Sequence, residues 1–205
     1  MNLEELRLIF ISICVIIVIT PITPLLIDHL PSKDESFLAL AVLGDGNLAE
    51  NYYPGDDPSI EVGEEIHWIL YLYNHMGDIE YTSIKVRLLN STMNPPDTTA
   101  LTSSTAPVLM EFRQVLLKNE TWIHQFNWEI LNMTNDDGIT RINTLNINND
   151  TFQTDVVSRG SVRFRLVFEL WTYDEKSEDF VFSWITQGNK RCAWTQIWFN
   201  VTTPN

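Results

Sequence analysis

Three histidines, His67, His75 and His124, are the side chains best suited to ligating a metal, with His29 set apart near the start of the chain. A zinc or copper site would need their imidazoles to converge with carboxylates or a thiolate. His67 and His75 stand eight residues apart in what reads as one extended strand, too far to share an ion without a fold-back. Their spacing therefore favours packed or surface histidines. Two acidic turns, Asp45 with Asp56, Asp57 and Glu61, and Asn135 to Gly138, could gather oxygen ligands for calcium. Neither matches the EF-hand loop, and Asx residues in turns account for both without an ion. Glu129 and Glu169 could form a hydrolytic carboxylate pair only if the fold set them at the separation glycoside cleavage requires. Cys192 has no adjacent histidine or basic partner to stabilise a thiolate. It reads as a small apolar residue in a strand, with a bridge to another chain as the alternative. No Gly-x-Ser-x-Gly elbow, phosphate loop or His-Glu-x-x-His element is present. These residues thus assign no catalysis, no cofactor and no metal.

Two other residue classes bear on function. Five Asn-x-Ser/Thr sequons, at Asn90, Asn119, Asn132, Asn149 and Asn200, are glycan acceptors if the chain is externalised. Seven tryptophans raise the alternative of a carbohydrate-binding surface. Trp68, Trp122 and Trp128 alternate with aliphatic residues and read as core. An exposed coplanar pair among Trp171, Trp184, Trp194 and Trp198 would favour sugar or protein recognition.

The elements that must position these residues are almost all strands. Phe37–Leu43 is an apolar run closed by Gly44-Asp45-Gly46, and Asn51 to Val62 is turn and loop chemistry. Glu65–Asn74 alternates Ile66, Trp68, Leu70 and Leu72 with His67, Ile69, Tyr71 and Tyr73. Both of its faces are largely apolar, which places it centrally, with one face in the core and the other partly covered. Tyr81–Leu89, with Ile84, Val86 and Leu88 inward and Lys85 and Arg87 outward, is expected to pair with it as a hairpin. Asn90–Pro107 reads as a long exposed loop, and so as the first candidate interaction surface. Val108–Leu117 and Thr121–Leu131 resume strand patterns, the second with an aromatic inward stripe. Asn132–Asp155 reads as an ordered excursion with a short strand or helical turn. Ser161–Tyr173 is the clearest strand, its Val162, Phe164, Leu166, Phe168 and Leu170 opposed by Arg163, Arg165 and Glu169. Phe180–Ile185 and Cys192–Val201 complete the set around the turn Gln187-Gly188-Asn189-Lys190. Short strands at regular spacing with turn chemistry between them predict a mainly β fold, an immunoglobulin-like antiparallel β-sandwich.

Ahead of the strands, Leu8–Ile27 carries no charged side chain and is long enough to cross a bilayer. It predicts a single N-terminal transmembrane helix, with a cleaved signal peptide as the alternative reading. The expected organisation is a membrane anchor over residues 1–27, a tether over 28–36 and an extracytoplasmic sandwich domain over 37–205. The net charge of −14 repels phosphate backbones and anionic lipid headgroups, which excludes nucleic acid as a natural partner.

The pieces Leu43-Gly44-Asp45-Gly46, Asn51-Tyr52-Tyr53-Pro54, Val62-Gly63-Glu64-Glu65 and Tyr73-Asn74-His75 resemble an uncharacterised family of archaeal membrane proteins, domain of unknown function sixteen-sixteen. Asn119-Glu120-Thr121-Trp122, Phe164–Trp171 and Trp198-Phe199-Asn200-Val201 are similar in kind. Members often carry several spans before the soluble domain, where this sequence has one apolar run. The resemblance implies an archaeal surface domain with no established catalytic activity. The expected function is a non-catalytic, membrane-anchored structural or interaction module at the plasma membrane, single-pass with its C-terminal domain outside. Its expected partners are the lipid bilayer through residues 8–27 and membrane or envelope proteins, as an accessory subunit of their assembly. A carbohydrate-binding module and a metal-binding enzyme or electron-transfer domain are the alternatives.

Overall fold

Apolar residues at every second position, interrupted by Asn, Asp and Gly, produce strands that bury one face and turn sharply. The computed structural model describes residues 36–159 and 163–202, and in it thirteen strands form two facing sheets and one small hairpin. The apolar run 8–27, most of the tether and Val162 lie outside the described residues. Among the described residues no helix is long and apolar enough to cross a membrane.

The first sheet orders β1 (Leu38–Leu43), β3 (Ile66–Asn74), β6 (Thr121–Asp136), β7 (Ile139–Ile147) and β8 (Asp150–Arg159), all antiparallel. The second orders β2 (Ser59–Glu61), β13 (Ala193–Thr202), β9 (Phe164–Asp174), β4 (Glu80–Asn90) and β5 (Met110–Leu116), with β10 (Asp179–Val181) also on β9. Its pairs are antiparallel except β2 with β13, which is parallel. A hairpin of β11 (Trp184–Thr186) and β12 (Asn189–Arg191) stands apart.

The core lies between the sheets. Ile66, Trp68, Leu70, Phe126 and Trp128 from the first meet Ile84, Val86, Phe164, Phe168 and Phe199 from the second. Trp68 is the hub. Its ring stacks on Phe126 at 6.2 Å, tilts against Trp128 at 5.1 Å and meets the edge of Phe168 across the sandwich at 6.2 Å. Its indole nitrogen donates to the Tyr52 carbonyl at 2.7 Å, the kind of partner a buried indole usually finds.

β3 sits between β1 and β6, as the apolarity of both its faces requires. It does not, however, form a hairpin with β4. The two strands belong to opposite sheets, because Ile84, Val86 and Leu88 face the same core as Trp68 and Leu70 from the other side. The chain arches between them around Asn74, whose buried amide nitrogen donates to the carbonyls of Asp78, Leu116 and Leu117. Its side-chain oxygen accepts from the Met76 amide. A hydrophobic pattern fixes which residues face inward but not which sheet delivers them, and the polar Asn74 decides that.

Asn132–Asp155 likewise holds more than one short strand or helical turn. β6 continues to Asp136 through a bulge near Asn132, and β7 and β8 follow as long strands. They are joined by two-residue turns with both central residues at positive φ: Asp137 (50°) with Gly138 (73°), and Asn148 (49°) with Asn149 (71°). That geometry matches strand twist and selects Asn, Asp and Gly. Phe180–Ile185 splits into β10 and β11 rather than forming one strand.

Candidate functional site

The histidines fall in three places. His67 projects outward from β3, largely exposed, with its Nδ1 3.1 Å from the Asn127 side-chain oxygen and its Nε2 4.0 Å from Glu65. His75 lies at the β3 exit between Phe37 and Tyr73, with Nδ1 3.1 Å from the Asn119 oxygen. His124 is stacked flat on Trp122 at 4.9 Å and backed by Phe112, and burial pushes its pKa down. Among the described residues no group of three or more His, Cys, Asp or Glu side chains is arranged to hold a metal ion. The acidic turns spend their carboxylates locally: Asp45 accepts from the Gly46 amide and Asp57 from that of Ser59, both at 2.9 Å. Asp137 serves the β6–β7 turn. Cys192 is half-buried and reduced, its thiol pushed up first by burial and then by the charge of Asp97.

Glu129 and Glu169 stand on the outward faces of opposite sheets, with the core residues Trp128 and Phe168 between them, and so cannot act as a pair on one bond. Glu169 has no exposed surface. It accepts from Arg87 Nε at 3.0 Å, from the Trp171 indole at 3.0 Å and from the Ser104 amide at 2.8 Å. Arg87 also donates to the Ala106 carbonyl. Ser104 and Ala106 belong to the segment after β4, so this segment is not simply an exposed loop. It straps the outward face of the second sheet, where Met93 and Trp194 pack on Leu89, Ala106 and Val167. Arg165 secures the other end, donating to the Met93 carbonyl and to Gln196 while lying over the Trp198 ring. Arg87 and Glu169, a buried cation and carboxylate, are tolerated through this hydrogen bonding, whereas the buried Arg165 Nε has no partner among the described residues. Between these anchors the segment remains largely exposed, with Pro96, Ser104 and Ala106 buried.

The four later tryptophans are consumed by this architecture. Trp171 carries the Lys85 ammonium 3.7 Å above its ring, Trp198 carries Arg165, Trp194 packs under the strap and Trp184 is buried. None is exposed. The sequons divide by exposure. Asn119, Asn132 and Asn149 are exposed and Asn200 is half-buried in β13. Asn90 is buried: its amide nitrogen donates to the Val157 carbonyl, and its oxygen accepts from the Thr92 and Met93 amides.

The surface that remains unassigned is the outward face of β1, β3 and the first half of β6. Its cross-strand pairs are Ala39 with Tyr73, Ala41 with Tyr71 and Leu43 with Ile69, continued on β6 by Thr121, Ile123 and Gln125. No side chain on it is charged. Its β6 residues are exposed, Ile123 at 60%, and those of β1 and β3 are partly buried. Its periphery is polar and acidic, with Glu65, His67 and Asn127 at one end and His75, Asn119 and Glu120 at the other. β1 itself is capped as an edge, the Tyr52 hydroxyl taking the Val42 carbonyl and the Thr186 hydroxyl that of Ser36, each at 3.0 Å. Edge addition is thereby discouraged, and the face is what the strand offers. Tyr52, and Tyr53 with its hydroxyl 2.5 Å from the Trp198 carbonyl, read as loop residues in sequence. They are loop residues, and their hydroxyls pin β1 to β13. Their aromatic pair beside Pro54 was the available signal.

No family model matches the chain, and no curated protein matches it. Among solved structures it is similar to a CARDB domain from Pyrococcus furiosus in complex with di-metal ions, at 10% identity and a TM-score of 0.40. That similarity covers 82% of this chain and 90% of the domain. It is also similar to a beta-glucosidase from Listeria innocua in complex with glucose, at 13% identity and a TM-score of 0.38. There 81% of this chain corresponds to 16% of the enzyme. Both likenesses are shallow.

Proposed function

We propose that this protein is a non-catalytic interaction module, an immunoglobulin-like sandwich held at a membrane surface by residues 8–27. Its outward β1–β3–β6 face docks a protein partner whose own contact surface is uncharged and apolar. The observation that carries the reading is that face: β1, β3 and the first half of β6, up to Gln125, present no charged side chain outward, in a chain of net charge −14. Apolar surface rimmed by polar groups marks protein contact, and the tyrosines Tyr71 and Tyr73 are of the kind enriched in such contacts. The other outward face is crossed by its own strap and carries Lys85, Glu111 and Arg113 beside the exposed Tyr81, Val115 and Tyr173. The resemblance to archaeal membrane proteins supports reading the module as an accessory subunit of a membrane or envelope assembly at an archaeal cell surface.

The test is gentle detergent extraction of the full chain from its native membrane, followed by sizing and mass spectrometry of what co-purifies. A stoichiometric protein partner released by Tyr71→Glu is the expected result. A chain that is fully extracted without detergent would overturn the anchor, and co-purification indifferent to Tyr71→Glu would overturn the face.

A further inference from the structure

We infer that the occupant of the β1–β3–β6 face is a second copy of this chain, packed face to face about a two-fold axis running parallel to the strands. The inference rests on the reading of that face as the docking surface, and two observations take it further.

The first is charge. A different partner adapted to a protein of net charge −14 would grip it through its carboxylates with lysine and arginine, since complementary potentials set partner choice. A partner that carries the same charge cannot do so. It can approach only where neither surface is charged, and this face meets that condition across three strands.

The second is shape. The register sets two alanines, Ala39 and Ala41 of β1, directly beside two tyrosines, Tyr73 and Tyr71 of β3. The face is therefore a trough next to a ridge. A two-fold axis parallel to the strands and midway between β1 and β3 lays β1 of one copy over β3 of the other. It brings Tyr71 of each copy over Ala41 of its mate, and Tyr73 over Ala39. Such an isologous contact is self-complementary by construction, and facing sheets close to ~10 Å when small residues oppose large ones. The same axis keeps the two Ser36 ends together. An axis perpendicular to the strands would instead set those ends apart.

The deciding measurement is sedimentation velocity of the full chain in detergent micelles across a concentration series. Wild type, Tyr71→Glu, Ala41→Glu and Val115→Glu are compared, with near-ultraviolet circular dichroism to confirm folding. Val115 is exposed on the outward face of the other sheet. A dimer weakened by roughly tenfold or more on burying either glutamate at position 71 or 41, and unaffected by Val115→Glu, supports the inference. If both face variants lose the native spectrum, Tyr71→Ala replaces them, with the same weakening expected. A monomer at every concentration, or a dimer equally sensitive to Val115→Glu, overturns it. A monomer that still releases another protein on Tyr71→Glu would overturn the second copy while leaving the interaction face standing.

Discussion

Glu169 carries a full set of donors in a place with no access to water, and its removal should be felt at both ends of the strap. Glu169→Ala leaves the Arg87 guanidinium buried without a counter-charge and strands the Ser104 amide and the Trp171 indole. Breaking one partner of a buried pair costs about 3–5 kcal/mol, so the urea midpoint should fall sharply. Arg113→Ala removes an exposed arginine from its Glu111 partner and should leave the midpoint nearly unchanged. Equal losses for the two variants would show that the buried pair is not what secures the strap. At the same scale, Asn90 should carry no glycan on the folded domain while Asn119, Asn132 and Asn149 are open to modification. Glycopeptide mass spectrometry distinguishes them. Asn90→Ala should also cost about 1–3 kcal/mol, because the Thr92 and Met93 amides lose their acceptor.

Strands with strict alternation were legible from sequence, and those built on other signals were not. β3 and β9 announce themselves through Ile66 to Leu72 and Phe164 to Leu170. β7 and β8 are rich in Asn and Thr, and their evidence lay in the turns: Asp137-Gly138 and Asn148-Asn149 are pairs that tolerate positive φ. The strap escaped notice because Pro95 and Pro96 forbid ladder pairing there, while its anchoring comes from Arg87, Glu169 and Arg165, which a two-state inward and outward pattern assigns to solvent. The face of β3 opposite the core was legible as apolar; that it would be a docking surface depends on β1 presenting alanines beside it, a matter of register. Gly44 shows how tightly the β1 exit is constrained. A Cβ there would stand 2.2 Å from the Glu50 carbonyl oxygen and 2.5 Å from that of Asn51, both backbone atoms that cannot swing aside. Gly46, two residues on, has open space but a φ of 73°. Gly44→Ala should therefore destabilise toward the upper end of ~1–3 kcal/mol or beyond, and Gly46→Ala by roughly 1 kcal/mol. Thermal unfolding of both variants tests this, and a Gly46→Ala loss exceeding that of Gly44→Ala would mean that backbone conformation, not crowding, dictates the turn.

For the molecule as a whole, net charge and contact face make opposite demands, and ionic strength separates them. Two copies of net charge −14 repel over a distance set by screening, ~10 Å at 0.1 M salt. The face between them contains no ion pair for salt to weaken. Raising salt from ~0.02 M to ~0.5 M, a range across which screening becomes short-ranged, should therefore strengthen self-association, since only the repulsive part is screened while the apolar contact is retained or enhanced. An assembly held by complementary charge responds with the other sign, losing affinity as its attractive pairs are screened. Sedimentation of the full chain across that series reads the sign directly. Stronger association with salt fits a neutral face joining like-charged copies. Weaker association would mean that the carboxylate-rich surface makes the contact, and that the uncharged strands of the first sheet do not.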